Sequence, residues 1–220
     1  HWPHDDPKRS VSLTDNAVQF IRHQAHAGAS FYLQVSHYAI HLSAEAKPAT
    51  LARHKARTPG KIHTAYWYAA MIDDLDQAVG RILDVLDELQ LTDNTYVFLT
   101  SDNGGSREGL ENGTSAYFRT LLSQTRANRL DSVELDHSRM DLMGGPQTLP
   151  HYPSGWAMVS GTPFRLYKIN THQGGHQVPL IISKGSGLPD GGGIRRQYQH
   201  VTDLLPTILD LVGVEMATSK

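Results

Sequence analysis

Asp102 and Asn103 stand side by side in "TSDNGG", directly after the apolar run Tyr96-Val97-Phe98-Leu99 and directly before two glycines. A carboxylate oxygen and a carboxamide oxygen are ligands that a hard divalent cation prefers, and the glycines let the backbone turn closely around it. The same residue types also build an Asp-Asn-Gly turn for conformational reasons alone. Two neighbours do not fill a calcium shell, so further oxygen ligands have to come from elsewhere. His41, in "SHYAIH", lies beyond a second apolar run, where an imidazole can hydrogen-bond an anionic substrate or protonate a leaving oxygen. His37 is close by and suits the same role, and a structural histidine is the commoner outcome for either. Lys168 precedes "INTHQGGHQVPLII", a position from which an ammonium can neutralise charge on a sulfate or phosphate oxygen, although most lysines are simply solvated. Arg165 and His172 flank this segment, and either can contact substrate.

These residues need elements to hold them. "SFYLQVS" alternates and is rich in β-formers, which predicts a strand from Ser30 to Ser36. From about Tyr66 to Leu89 the apolar positions Tyr68, Met71, Ile72, Leu75, Val79, Ile82, Leu83, Leu86 and Leu89 recur at three and four residues, one face of a long amphipathic helix. "LTDN" then turns into the strand "TYVFLT". Strand, helix, strand in that order is a crossover unit, which implies a parallel sheet with helices packed on it. Ligands of such sheets gather at the carboxyl ends of strands, where both "SHYAIH" and "SDNGG" fall. "QVPLII" predicts a further buried strand. Helices are expected at "DNAVQFIRHQAHAG", capped by Ser12 or Thr14 and stopped at Gly28, and at "TDLLPTILDLVG", begun by Thr202 or Asp203 and stopped at Gly213. The polar stretch "HLSAEAKPATLARHKARTPGK" suits an exposed excursion. Residues 106–160 read as an insertion or lid with little regular structure.

At 220 residues the chain is long enough for a sizeable core. Lys+Arg 20 against Asp+Glu 22 gives no sign of nucleic acid or an anionic membrane as partner. No apolar run reaches transmembrane length, and no signal peptide opens the sequence, which begins "HWPHDDPKRS" like the middle of a longer protein. With no cysteine, disulfides, thiolate metal sites and a cysteine nucleophile are excluded within these residues. Thirteen histidines mildly favour metal or proton-transfer chemistry.

Taken together, "SHYAIH", "TSDNGG" after its helix and strand, "KINTHQGGHQVPLII" and "HVTDLLPTILDLVG" resemble, in order, the motifs of the sulfatase family. The resemblance implies an α/β, alkaline-phosphatase-like fold with a mostly parallel sheet and packed helices. It extends over nearly the whole chain apart from residues 106–160. By position, Asp102 and Asn103 match a pair of metal ligands, usually to calcium. His41 matches the histidine that contacts the sulfate and helps the leaving group depart, and Lys168 the lysine that contacts the sulfate. The expected substrate is a sulfated small molecule or glycan, with Arg165, His172 and Trp156 as further places to look for contacts.

The family's nucleophile is a formylglycine made within Cys/Ser-x-Pro/Ala-x-Arg, and no such frame occurs here: "GTPFR" has Gly161 at the position of the modified residue. Asp5 and Asp6 do not follow an apolar strand as the family's early metal-binding aspartates do. Residues 1–220 are therefore expected to be the carboxyl-terminal part of a catalytic domain whose amino-terminal part is absent, inactive when alone. Any export signal would lie upstream, and a periplasmic or secreted location is the family-based expectation. Gln173 stands where the family usually has Glu. A phosphate or phosphonate ester hydrolase of the same superfamily, and a non-catalytic protein binding a cation or a sulfated ligand, are the alternatives.

Overall fold

The computed structural model describes residues 3, 5–59, 65–114, 129–189 and 191–215. The chain divides into two compact units, His1–Ser186 and Gly187–Lys220.

In the first unit, helix α1 spans Ser10–Ala27 and begins before the expected Ser12 or Thr14 cap. Asp6 does the capping instead: its carboxylate accepts from Val11 N (2.8 Å) and Ser12 N (3.2 Å), two of the amides that a helix start leaves unpaired. Thr14 Oγ1 turns back to Ser10 O at 2.6 Å. Gly28, at φ 63°, ends the helix in the left-handed conformation that glycine adopts without a Cβ clash.

Helix α2 (Pro48–Lys55) and the long helix α3 (Tyr66–Glu88) follow, and both α1 and α2 pack on α3. The buried face of α3 runs through Trp67, Ala70, Met71, Asp74, Ala78, Val85 and Leu86. It is rotated from the expected stripe, leaving Ile72 and Leu83 exposed. The small Ala70 and Ala78 let neighbours approach closely, which outweighs side-chain size in choosing the face. The polar excursion expected after His41 is largely buried between residues 43 and 50. Ala44 and Ala46 join Trp67, Ala70, Met71 and Met143 in one core cluster. Their amides donate to Pro150 O (2.8 Å) and Gly144 O (3.2 Å), so both buried amides are paired.

The sheet differs from the expectation of a parallel crossover. Among the described residues it has two strands, β1 (Val97–Thr100) and β2 (Leu180–Ser183), paired antiparallel with Thr100 opposite Leu180 and Val97 opposite Ser183. Ser30–Ser36 belongs to no ladder among the described residues. Its alternation survives as burial: Phe31, Leu33 and Val35 are half-buried, while Tyr32, Gln34 and Ser36 are exposed. Phe31 and Leu33 pack against the cluster of Ile21, Val85 and Leu86. Composition and period thus set the alternation, while a ladder also needs a partner strand.

Residues 106–160 are more ordered than the weak periodicity predicted. They carry helix α4 (Arg129–Ser138) and helix α5 (Ser154–Ser160), and residues 115–128 lie outside the described set. Buried polar groups organise this region: Thr114 Oγ1 donates to Asp136 Oδ2 at 2.6 Å, and Leu149 N to the same oxygen at 3.2 Å. Such bonds carry no hydrophobic period, so a pattern reading misses them. A single helical turn, α6 (Gln173–His176), precedes β2.

In the second unit, a 3-10 turn over Val201–Asp203 leads into helix α7 (Leu204–Leu211), and Gly213 at φ 70° stops it as expected. His200 N donates to Asp203 Oδ2 at 2.7 Å, and Thr202 N to His200 Nδ1 at 3.4 Å, closing a reciprocal cap. No helix among the described residues is long and apolar enough to cross a membrane.

Candidate active site

The antiparallel register brings the end of β1 against the start of β2, and the loops attached to those two ends lie together. Thr100 Oγ1 donates to Pro179 O at 2.9 Å. Beyond it, Gly104 N donates to Gly175 O (3.0 Å) and Lys168 N to Gly105 O (2.9 Å). A Cβ on Gly104 would run into the Gly174 carbonyl, and one on Gly174 into the Leu166 carbonyl. The two "GG" pairs are therefore required by close backbone approach, beyond any need for a turn. Lys168 itself sits between Leu166 (φ 64°) and Ile169 (φ 81°). A left-handed β-branched residue costs on the order of 1–3 kcal/mol, a strain that persists only where surroundings enforce it.

This loop pairing delivers Lys168 to His41. Lys168 Nζ lies 3.1 Å from His41 Nε2. With Lys168 an ammonium, the bond requires Nε2 to accept, which leaves the imidazole proton on Nδ1. Glu108 completes a triangle, its Oε1 3.6 Å from Lys168 Nζ and its Oε2 4.0 Å from His41 Nε2. The Lys168 ammonium and the Glu108 carboxylate are opposite unit charges, which about 4 Å apart near a protein surface attract by about 4 kcal/mol before the discount for exposed side chains, whereas a neutral His41 meets the carboxylate only as a dipole. Burial pushes the Glu108 carboxyl up, but the Ser106 hydroxyl bond and the charges of Lys168, His41 and His151 together hold it below the usual glutamate range.

Ser106 is the hinge of this support. Its Oγ donates to Glu108 Oε2 at 2.7 Å, and its backbone N donates to the hydroxyl of buried Tyr152 at 2.8 Å. Tyr152 in turn hydrogen-bonds Tyr68 of α3, and their rings meet edge-on at 4.7 Å. His151, 3% exposed, has its proton affinity lowered by burial, and its Nδ1 donates to Tyr152 O at 2.9 Å.

Of the residues singled out in the sequence, the structure brings His41 and Lys168 together. His37, the competing histidine, is half-buried with its Nδ1 unpartnered among the described residues, and burial lowers its proton affinity. Asp102 is exposed and Asn103 half-buried on the loop directly after β1. Asn103 Nδ2 donates to Gly104 O at 3.1 Å, which leaves its carboxamide oxygen available as a ligand. The Asp102 carboxylate has no hydrogen bond or ion pair with a described residue. A carboxylate and a carboxamide oxygen are donor types that suit a hard cation, and among the described residues no cluster of three His, Asp or Glu stands ready to hold one. Arg165 and His172 flank Lys168 with exposed side chains, and their carbonyls accept from Gly174 N (2.9 Å) and Gly175 N (2.8 Å). Trp156 is half-buried in α5. Glu108, Ser106 and Tyr152 were not picked out in the sequence, and Tyr68 only as an apolar position of the long helix. A carboxylate six residues after Asp102 was the available signal for Glu108.

A family model described as Sulfatase matches residues 8–214. The chain belongs to the sulfatase family. It is 32% identical over 148 residues to an uncharacterized sulfatase of Schizosaccharomyces pombe, covering 67% of this chain and 24% of that protein. A sulfatase of Formosa agariphila is 24% identical over 218 residues, covering 95% and 31% respectively. Steryl-sulfatase of Rattus norvegicus is 25% identical over 218 residues, covering 99% and 29%. The sulfatase chain thus spans about a quarter to a third of the length of these relatives. The crystal structure of Ps i-CgsB in complex with k-i-k-neocarrahexaose superposes with a TM-score of 0.59 at 22% identity, covering 94% of this chain and 35% of that one. The fold is accordingly a portion of the α/β, alkaline-phosphatase-like sulfatase domain.

Proposed function

We propose that this sulfatase chain supplies the anion-contacting pair and two metal ligands of a sulfuric ester hydrolase. The 3.1 Å contact between Lys168 Nζ and His41 Nε2, formed beside the loop that carries Asp102 and Asn103, is the observation that carries this reading. Lys168 contacts the sulfuryl oxygens and offsets their charge. The hydrogen bond between Lys168 and His41 holds a proton that the departing alcohol oxygen can take as its bond to sulfur breaks. Asp102 and Asn103 would hold calcium, which when bound supplies further charge stabilisation to the sulfuryl group. The nucleophile, a formylglycine in this reading, comes from outside these 220 residues. Arg165 and His172, exposed on either side of Lys168, are the proposed contacts to the rest of a sulfated small molecule or glycan.

The test is hydrolysis of matched aryl sulfate and aryl phosphate esters by the protein in which this chain occurs. The sulfate ester is expected to be the better substrate, and Lys168→Met to lower kcat by about 100-fold or more. Preferential hydrolysis of the phosphate ester, or full activity in Lys168→Met, would sink the reading.

A further inference from the structure

Glu108 places a negative charge where the proposed site gathers positive charge. Its carboxylate is within 4.0 Å of both anion-contacting nitrogens, and it is held there by a 2.7 Å bond from Ser106 Oγ and a 3.2 Å bond from its own backbone N to that hydroxyl. Ser106 is anchored through Tyr152, which is 5% exposed, so the carboxylate is fixed by the fold and is not a loose surface charge. The charged and titratable groups that face it are Lys168, His41, His151 and Tyr152. The Lys168 and His41 side chains are 21% and 57% exposed, so an anion can reach the pair from solvent.

We propose that Glu108 is a charge-selecting residue that makes the His41–Lys168 site favour a singly charged sulfate ester over doubly charged anions such as inorganic sulfate or a phosphate monoester. The proposal rests on the reading of His41 and Lys168 as anion contacts. Coulomb energy scales with the product of the charges, so a fixed carboxylate penalises a dianion about twice as much, in free energy, as a monoanion at the same place. A sulfate ester carries one negative charge, whereas the sulfate released from it carries two. The same carboxylate would therefore weaken binding of the substrate less than it weakens retention of the released sulfate.

The experiment is an NMR titration of the isotopically labelled 220-residue chain with methyl sulfate and with inorganic sulfate, following the Lys168 and His41 side-chain signals. In Glu108→Gln, methyl sulfate affinity is expected to rise roughly threefold and inorganic sulfate affinity roughly tenfold, the square of the first factor. Glu108→Ala, which removes the charge without placing an amide, is expected to give the same ordering. Glu108→Asp, which keeps the charge, is expected to keep the wild-type ratio of affinities within about twofold. Binding that depends on Lys168, shown by its loss in Lys168→Met, with an unchanged ratio of affinities in both Glu108→Gln and Glu108→Ala overturns charge selection and leaves the anion site standing. An equal change in Glu108→Asp assigns the effect to packing and also overturns it. Absence of any Lys168-dependent binding overturns the anion-site reading and charge selection together.

Discussion

Lys168 and His41, 127 residues apart in sequence, meet through a nitrogen-to-nitrogen contact of 3.1 Å. Neither residue reaches the other through its own element. His41 sits in a turn after Ser30–Ser36, where its N donates to Tyr38 O at 2.9 Å, while Lys168 is pinned by its backbone bond to Gly105 O. The contact is therefore as firm as the pairing of the Gly104-Gly105 loop with the Lys168–Gly175 loop.

That dependence makes Gly104→Ala informative. The added methyl collides with the Gly174 carbonyl, and backbone yields less readily than a side-chain tip. The expected result is a loss of about 1–3 kcal/mol in urea unfolding together with weakened anion binding at Lys168. Gly155→Ala is the control, because its Cβ meets nothing within 4 Å and it lies in α5. It is expected to be neutral or stabilising by about 0.5–1 kcal/mol. Equal behaviour of the two variants would contradict the close-approach argument.

Asp102→Ala separates metal binding from folding. Its carboxylate is exposed, so thermal unfolding is expected to stay within about 0.5 kcal/mol of wild type. Calcium binding, followed by isothermal titration, is expected to be weak in the wild type and absent in the variant, since two ligands make an incomplete shell. Unchanged calcium binding in Asp102→Ala would remove this loop from the metal site.

The depressed titration of Glu108 has a stability consequence with a definite sign. A carboxyl held below its ordinary value contributes stability that is fully present above about pH 4.3 and is lost as pH falls through the folded-state value. Wild type is expected to exceed Glu108→Gln at pH 7 by on the order of 1 kcal/mol or less, given its partly exposed partners. The gap is expected to close in strongly acidic buffer. Urea unfolding at the two pH values measures it, and a gap that widens on acidification would show that the carboxylate is not the stabilised form.

The existence of α1, α3, β1, β2 and α7, and the Gly28 and Gly213 stops, were legible in the sequence, although α1 starts before its expected cap, α3 buries a rotated face, and β2 is half-exposed where a buried strand was expected. The order of the motifs carried the family, and it put His41 and Lys168 forward, each by its own position, as expected sulfate contacts. What the pattern did not show has more than one cause, since polar groups find partners both near and far along the chain and a ladder needs a second strand. Residues 43–50 looked exposed because burial there depends on Pro150, Gly144 and Asp74. Asp6 looked like a failed metal ligand and is a helix cap. Ser30–Ser36 alternated like a strand without finding a ladder among the described residues, and Glu108 had no spacing rule to announce it.

Asp74 gives the last prediction, because it breaks the apolar pattern of α3 from within. The residue is 4% exposed, and its carboxylate accepts from Lys47 N (2.7 Å) and Thr50 Oγ1 (2.7 Å), with Lys47 Nζ at 3.3 Å. One carboxylate thus ties the start of α2 to the middle of α3, beside the cluster formed by Ala46, Trp67, Ala70 and Met71. Asp74→Ala leaves a buried hydroxyl and a backbone amide without their acceptor, so the expected loss is about 3 kcal/mol or more in urea unfolding. Asp74→Asn keeps the shape and one acceptor oxygen, and is expected to recover about half of that loss. Since α2 and the residues 43–46 follow directly after His41, Asp74→Ala is also expected to broaden the His41 imidazole NMR signals. Sharp, unshifted His41 signals in that variant would show that the turn holding the imidazole is set by the Lys168 side of the site and not by α3.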